Sequence, residues 1–172
     1  MRIKSYKVYK FDELTEEGQA KALQNLYDVN VDYDWWDGVY ENASEAGLKI
    51  TGFDIGRSSL CDIEYTDDAC FTAHKIVDNH GEMCETHKYA TAFLAERDGI
   101  VAAAERDNGG ELVDEHALDE KLDEVEAEFL KTLSEDYRIM LQKEYEYLTG
   151  EEAIKDAIEA NEYDFTEAGQ ID

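Results

Sequence analysis

Cys70-x3-His74 and Cys84-x2-His87 are the spacings in this 172-residue chain that come nearest to a chemical centre. Residues three or four apart share a helix face, so each pair offers two ligands, and a helical hairpin could close them into a tetrahedral Cys2His2 zinc site. The spacing matches no standard zinc finger. Ala69, Phe71 and Ala73 around Cys70 read as a packed helix in which the thiol is a small buried hydrophobe. His80, just before Gly81, reads as a helix C-terminal cation or cap. A metal site on Cys70, His74, Cys84 and His87 is therefore not the favoured reading, and no cofactor is expected. Asp32, Asp34 and Asp37-Gly38 have the look of a calcium loop, but the glycine falls seventh and Trp36 stands at a ligand position. Phosphate-loop, dinucleotide-loop and nucleophile-elbow motifs do not occur. Carboxylates are so abundant that their pairing says nothing about acid–base catalysis, and His116 reads as a solvated residue in an acidic helix start. The chain reads as non-enzymatic.

What is distinctive is charge. Forty-three acids face 16 bases, for a net charge of −27, and proline is absent. Direct nucleic-acid binding is excluded as a working idea, because phosphate contacts require the lysines and arginines that are in deficit. A run of 18 apolar residues is lacking, so no membrane span is expected. The N-terminal sequence MRIKSYKVYKFDEL has no signal-peptide-like apolar region, and three cysteines, an odd number, suit a reducing compartment. Only 37 residues are Leu, Ile, Val or Phe, close to the level of disordered chains, but 11 Tyr and two Trp tip the balance toward a folded domain.

The elements that would carry this charge can be read from periodicity. Ile3, Tyr6, Val8, Tyr9 and Phe11 interleave with Arg2, Lys4, Lys7 and Lys10, which predicts an N-terminal strand. Thr15 offers an N-cap before Glu16 and Glu17, with Ala22, Leu23, Leu26 and Tyr27 as the apolar stripe. A helix over 34–46 should end at Gly47, and 48–66 alternates as a hairpin around Gly56-Arg57-Ser58-Ser59. Helices follow over 69–80, closed by Gly81, and over 85–106, stopped by Asn108-Gly109-Gly110. Leu118, Leu122, Val125, Phe129, Leu133, Tyr137, Leu141, Tyr145 and Leu148 then predict one long helix over 114–148. Thr149 and Glu152 form a capping-box pattern for a last helix to about 161, and Tyr163, Phe165 and Ile171 suggest a short final strand. The fold class is α+β: a mainly helical single domain, 1–172, with a small antiparallel sheet made of the N-terminal strand and the 48–66 hairpin. The place where it could divide is 107–111, giving an α+β part, 1–106, and an acidic helical part, 112–172.

Acids are steepest in 105–136, where there are 13 against three bases. Asp119, Asp123 and Glu126 share one helical stripe with Glu120 and Glu124 beside it. Together with Asp114, Glu115 and Glu128 they form the candidate partner-binding face. Trp35 and Trp36 are candidate aromatic anchors, set against the plainer reading of two partly buried core residues.

Two passages resemble known proteins: VYKFDELTEEGQAKAL with WWDGVYENASEAGLKITGFDI, residues 8–23 and 35–55, and EANEYDFTEAGQ, residues 159–170. They are similar to small acidic proteins of tailed phages and prophages, some described as antitoxins of a toxin–antitoxin stability system. The resemblance implies a bacterial cytoplasmic setting and a phage–host contest. In that setting the charge is similar in character to that of anti-restriction and anti-CRISPR proteins that imitate DNA. The expected function is a phage-type counter-defence protein that inhibits a basic, nucleic-acid-binding host protein by presenting a DNA-like anionic surface. Two alternatives stand beside it: an antitoxin-like plug of a basic nuclease toxin, and a small metal-stabilised structural domain. A homo-oligomer stays open.

Overall fold

The computed structural model describes residues 7–107 and 115–172, with side chains described outside 105–107. Its architecture is α+β, with a two-stranded antiparallel sheet and a long C-terminal helix. Chain contacts group it into two units, one formed by 1–36 with 143–172 and the other by 37–142. This grouping differs from a cut at 107–111, most of which lies outside the described residues. The reason is nonlocal: the C-terminal residues return to the N-terminal ones, which a linear reading of composition does not show.

In the first unit a single 3-10 turn, Phe11–Glu13, leads into helix α1, Glu16–Asn25. Thr15 caps α1 as expected, its hydroxyl accepting from the Gly18 amide at 3.2 Å, with Glu16 and Glu17 at the positive end of the helix dipole. Ala22 and Leu26 are buried, but the helix stops before Tyr27, whose side chain is 49% exposed. The core consists of Leu14, Ala22, Leu26, Ile154, Ile158 and Phe165. Phe165 is fully buried and sits in isolated bridges with Tyr9 and with Ile171. The described part of the expected N-terminal strand thus pairs with the C-terminal segment rather than with the hairpin; residues 1–6 lie outside the described residues. Gly169, at φ +73°, presses its backbone onto Gly18 and Ala22, an approach that leaves no room for a Cβ.

Helix α6, Glu151–Ala160, begins at Gly150, not at a capping box. The Thr149 hydroxyl donates back to the Tyr145 carbonyl at 2.8 Å, so it is spent on the preceding helix. Asn30 Nδ2 donates to the carbonyls of Leu148 and Ala153, both at 3.1 Å, and stitches the loop after α1 to this junction.

The second unit holds α2, Asp37–Glu45, then strands β1, Leu48–Asp54, and β2, Leu60–Tyr65. The hairpin pairs Leu48 with Tyr65 and Ile50 with Ile63, and slips by one residue between Ile50 and Gly52. Alternation puts Leu48, Ile50, Cys61 and Ile63 in the core. The turn is held by Asp54, whose carboxylate accepts from the amides of Gly56 at 2.7 Å and Ser58 at 3.1 Å, holding its pKa below the usual carboxylate range. Helix α3, Ala69–Asn79, buries Ala69, Ala73 and Ile76, while Phe71, expected to pack, is 44% exposed beneath the Lys75 ammonium. His80 caps α3 through its amide to the Ile76 carbonyl, in extended conformation, so Gly81 does not supply a left-handed stop.

Helices α4, Glu85–Asp107, and α5, Glu115–Leu148, complete the chain, with residues 143–148 of α5 counted in the first unit. Phe93 and Phe129 stack at 4.4 Å and 9°, and Leu133, Tyr137 and Leu141 are fully buried. The Tyr137 hydroxyl donates to Asn42 Oδ1 at 2.9 Å. Among the described residues, no helix is long and apolar enough to cross a membrane.

Candidate functional site

The acidic face is built by the heptad-like apolar pattern of α5. Phe129 and Leu133 are buried, and Leu118, Leu122 and Val125 are half-buried. That fixes the rotation of the helix. At about 100° per residue, Glu124 lies about 140° round from Phe129, whereas Glu126 lies only about 60° from it. The observed burial follows this geometry: Glu115, Asp119, Glu120, Asp123, Glu124 and Glu128 are exposed, and Glu126 is half-buried. Asp114 lies outside the described residues.

Tyr65 anchors this stretch to the hairpin, its hydroxyl donating to the Glu126 carbonyl at 2.9 Å. Burial pushes that phenol well above its ordinary pKa, with the nearby Glu126 charge adding to the effect. The bond holds the backbone of α5 while leaving the Glu126 carboxylate unused.

Four of the chain's 16 lysines and arginines pair away from this face. Lys88 pairs with Glu85 at 2.6 Å, Arg138 with Glu135 at 2.7 Å, Lys155 with Glu151 at 2.5 Å and Lys10 with Asp164 at 2.8 Å. On the acidic face, Glu128 meets Lys131 at 3.1 Å, and Glu120 meets His116 at 3.7 Å, a contact that is ionic only when the imidazole is protonated. Among the described residues, no ion pair falls on Glu115, Asp119, Asp123, Glu124 or Glu126.

The density of this charge can be compared with that of nucleic acid. Residues 119–128 hold six acids and one lysine. Over about 14 Å of helix this leaves one net charge per ~3 Å, against ~3.4 Å for a single DNA strand and ~1.7 Å for duplex. The face therefore has the line charge of one strand. It lacks that of a double helix.

The aromatic candidates occupy a different setting. Trp35 and Trp36 are both half-buried and meet edge to face at 5.6 Å. Trp35 also lies 5.5 Å from Tyr145, whose hydroxyl is hydrogen-bonded to Tyr27, which raises the Tyr145 pKa. Tyr27 and Tyr33 expose 49% and 61% of their surface. Sequence reasoning missed Tyr27, Tyr33 and Tyr145 as companions of the tryptophans. Tyr27 and Tyr145 are legible only as members of helical apolar stripes, with nothing to join them to the tryptophans.

The Cys/His residues do not form a centre. Cys70 is half-buried with its thiol pKa raised, chiefly by burial; His74 and Cys84 are exposed, and His87 is half-buried. Among the described residues, no group of three or more His, Cys, Asp or Glu is placed to hold a metal ion. His80 caps α3 through its backbone amide, one of the two roles its position suggested, while its ring shares a 2.6 Å hydrogen bond with Thr86 Oγ1 and burial lowers its pKa, which disfavours the cationic role.

Compared with protein-family models, with curated proteins and with solved structures, the chain has no match.

Proposed function

We propose that this protein is a non-enzymatic inhibitor that occupies the nucleic-acid-binding surface of a basic protein, with carboxylates standing where phosphates would. The observation that carries the reading is the exposed face of α5, where Asp119, Glu120, Asp123 and Glu124 line up within two helical turns and, among the described residues, only Glu120 has an ion-pair partner, a histidine. A surface of one sign steers an oppositely charged partner and accelerates encounter, while packing sets residence time. The line charge favours a receptor groove that grips one strand over one that encloses a duplex. Set beside the resemblance to small phage proteins, the reading becomes counter-defence inside a bacterial cell, directed at a host protein that binds nucleic acid.

The test is capture from bacterial lysate on the immobilised protein, repeated with excess single-stranded and duplex DNA. Basic proteins that are released by DNA, single-stranded DNA most effectively, support the proposal. Capture indifferent to both competitors counts against it.

A second reading, an antitoxin-like plug, draws on the aromatic group of Tyr27, Trp35, Trp36 and Tyr145, since hot spots favour Trp and Tyr. Under that reading Trp35→Ala weakens capture more than neutralising the α5 carboxylates does.

A further inference from the structure

Beside the acidic face lies a cleft of about 670 Å³ between α4 and α5. Its floor is the stacked pair Phe93 and Phe129, and its apolar walls include Tyr89, Ala92, Ile100 and Val125. Phe93 and Phe129 are buried, but Tyr89, Ile100 and Val125 are only half-buried and Ala92 is exposed, so apolar surface remains open to a guest. The rim is acidic: among the described residues Glu96, Glu124 and Glu128 stand against a single base, Lys121. Of these acids, Glu128 is shared with Lys131, and among the described residues Glu96 and Glu124 carry no ion pair. Two rim acids, Glu124 and Glu128, belong to the acidic face itself.

We infer that this cleft receives an amphipathic basic helix of the partner, its apolar stripe seated on Phe93 and Phe129 and its lysines or arginines reaching Glu96, Glu124 and Glu128. The inference rests on the proposed reading of the acidic face and adds the chemistry of what docks there. Three features select this occupant. The apolar floor gives a polyanion nothing to bind, and the rim repels one. The rim carboxylates complement positive charge. The α4 wall runs from Tyr89 to Ile100 and the α5 wall from Lys121 to Thr132, each about 16 Å, the length of three helical turns. A helix laid in such a groove anchors through side chains three, four and seven residues apart. Steering by carboxylates and retention by an apolar groove then act on one segment of the partner.

The test uses the full-length protein and two labelled peptides of about 18 residues, five helical turns each: a Leu/Lys amphipathic helix and an oligolysine. Fluorescence anisotropy gives both affinities. Ala92→Trp fills the cleft from an exposed position, and Ile100→Ala shaves its wall from a half-buried one, so that at least one variant tests the groove in a folded protein, checked by far-UV circular dichroism. The expected result is that the wild type binds the Leu/Lys peptide more tightly than oligolysine. Ala92→Trp should then weaken the Leu/Lys peptide about tenfold, Ile100→Ala should weaken it several-fold, and oligolysine should be unaffected by either. Equal affinity for both peptides, with oligolysine binding lost in Glu120→Gln/Glu124→Gln, overturns the groove and leaves the acidic face standing. Unchanged Leu/Lys affinity in both folded variants also overturns the groove. Binding of neither peptide sinks both. Self-association of the wild type that Ala92→Trp abolishes, without peptide binding, reassigns the cleft to a second copy of this chain and refutes the inference.

Discussion

If the carboxylates of α5 are held for a partner, they should cost the free protein stability, and the double substitution Glu120→Gln/Glu124→Gln measures that cost. Glutamine has nearly the helix propensity of glutamate, so the change is chiefly one of charge. Counting residues three and four apart, the substitution removes the repulsions 120–123, 120–124 and 124–128. It also removes one attraction, 121–124, and the weak contact of Glu120 with His116. The balance is about two like-charge pairs, or a gain of about 0.4–1 kcal/mol. For a chain of this size the melting temperature should rise by about 1–4 °C. The gain should be largest at low ionic strength, where the Debye length is ~30 Å, and vanish near 1 M salt, where it is ~3 Å. Glu151→Gln is the control of opposite sign: Glu151 pairs with Lys155 at 2.5 Å in the first turn of α6, so its neutralisation should lower the melting temperature at low salt. Thermal melts by circular dichroism at both salt concentrations decide the matter. A double variant that melts no higher than wild type at low salt would refute the claim that these carboxylates repel one another unneutralised.

Three further outcomes follow from the packing. Tyr137→Phe should cost about 1 kcal/mol in urea unfolding, because it removes a bond to Asn42 from a fully buried side chain, and Tyr137→Ala about 3–5 kcal/mol. Gly169→Ala should destabilise the protein by more than ~1 kcal/mol, since φ is +73° and a Cβ would run into the Gly18 carbonyl; an unchanged melting temperature would show that the C-terminal residues do not dock on α1. Burial, with Asp62 adding to it, pushes the Cys61 thiol up to about 11 from an ordinary value of 9. Its folded pKa is the higher one, so the stabilisation is complete below pH 9 and is lost as pH rises through 11. The stability advantage of wild type over Cys61→Ala should shrink by about 1–2 kcal/mol across that window, after allowance for solvent screening, and a pH-independent difference would contradict the burial of the thiol.

Local rules read much of this fold from sequence because the relevant partners are near in the chain. The Thr15 cap, the hairpin at Gly56–Ser59 and the apolar repeat of α5 are each decided within one or two turns of backbone. Where a local pattern had a competitor, it failed. Thr149 had both a capping partner ahead and a carbonyl four residues behind, and took the carbonyl. At His80 the cap read from the helix end is present through the backbone amide, and only the cationic alternative fails, because the ring is buried and bonded to Thr86, six residues on. The pairing of Tyr9 with Phe165 and the seating of Gly169 on α1 join opposite ends of the chain, and nothing local announces them. The stripe of acids on α5 could be read from spacing, but which of them are exposed, Glu124 and not Glu126, depends on the burial of Phe129 and Leu133. The cleft beside it could not be read, because Tyr89, Phe93 and Ile100 sit in an alanine-rich helix whose apolar stripe has no sharp edge, and their use depends on where α5 lies.

The most direct test of the anionic face compares neutralisations equal in number but different in place. A labelled oligolysine is bound to single-stranded DNA, and the protein is titrated in as competitor. The account predicts that Glu120→Gln/Glu124→Gln/Glu128→Gln loses most of its power to displace the DNA, while Glu152→Gln/Glu159→Gln/Glu162→Gln, in and just after α6, keeps it. Equal losses from the two triple variants would mean that total charge alone is at work, and the claim of an organised face on α5 would be wrong.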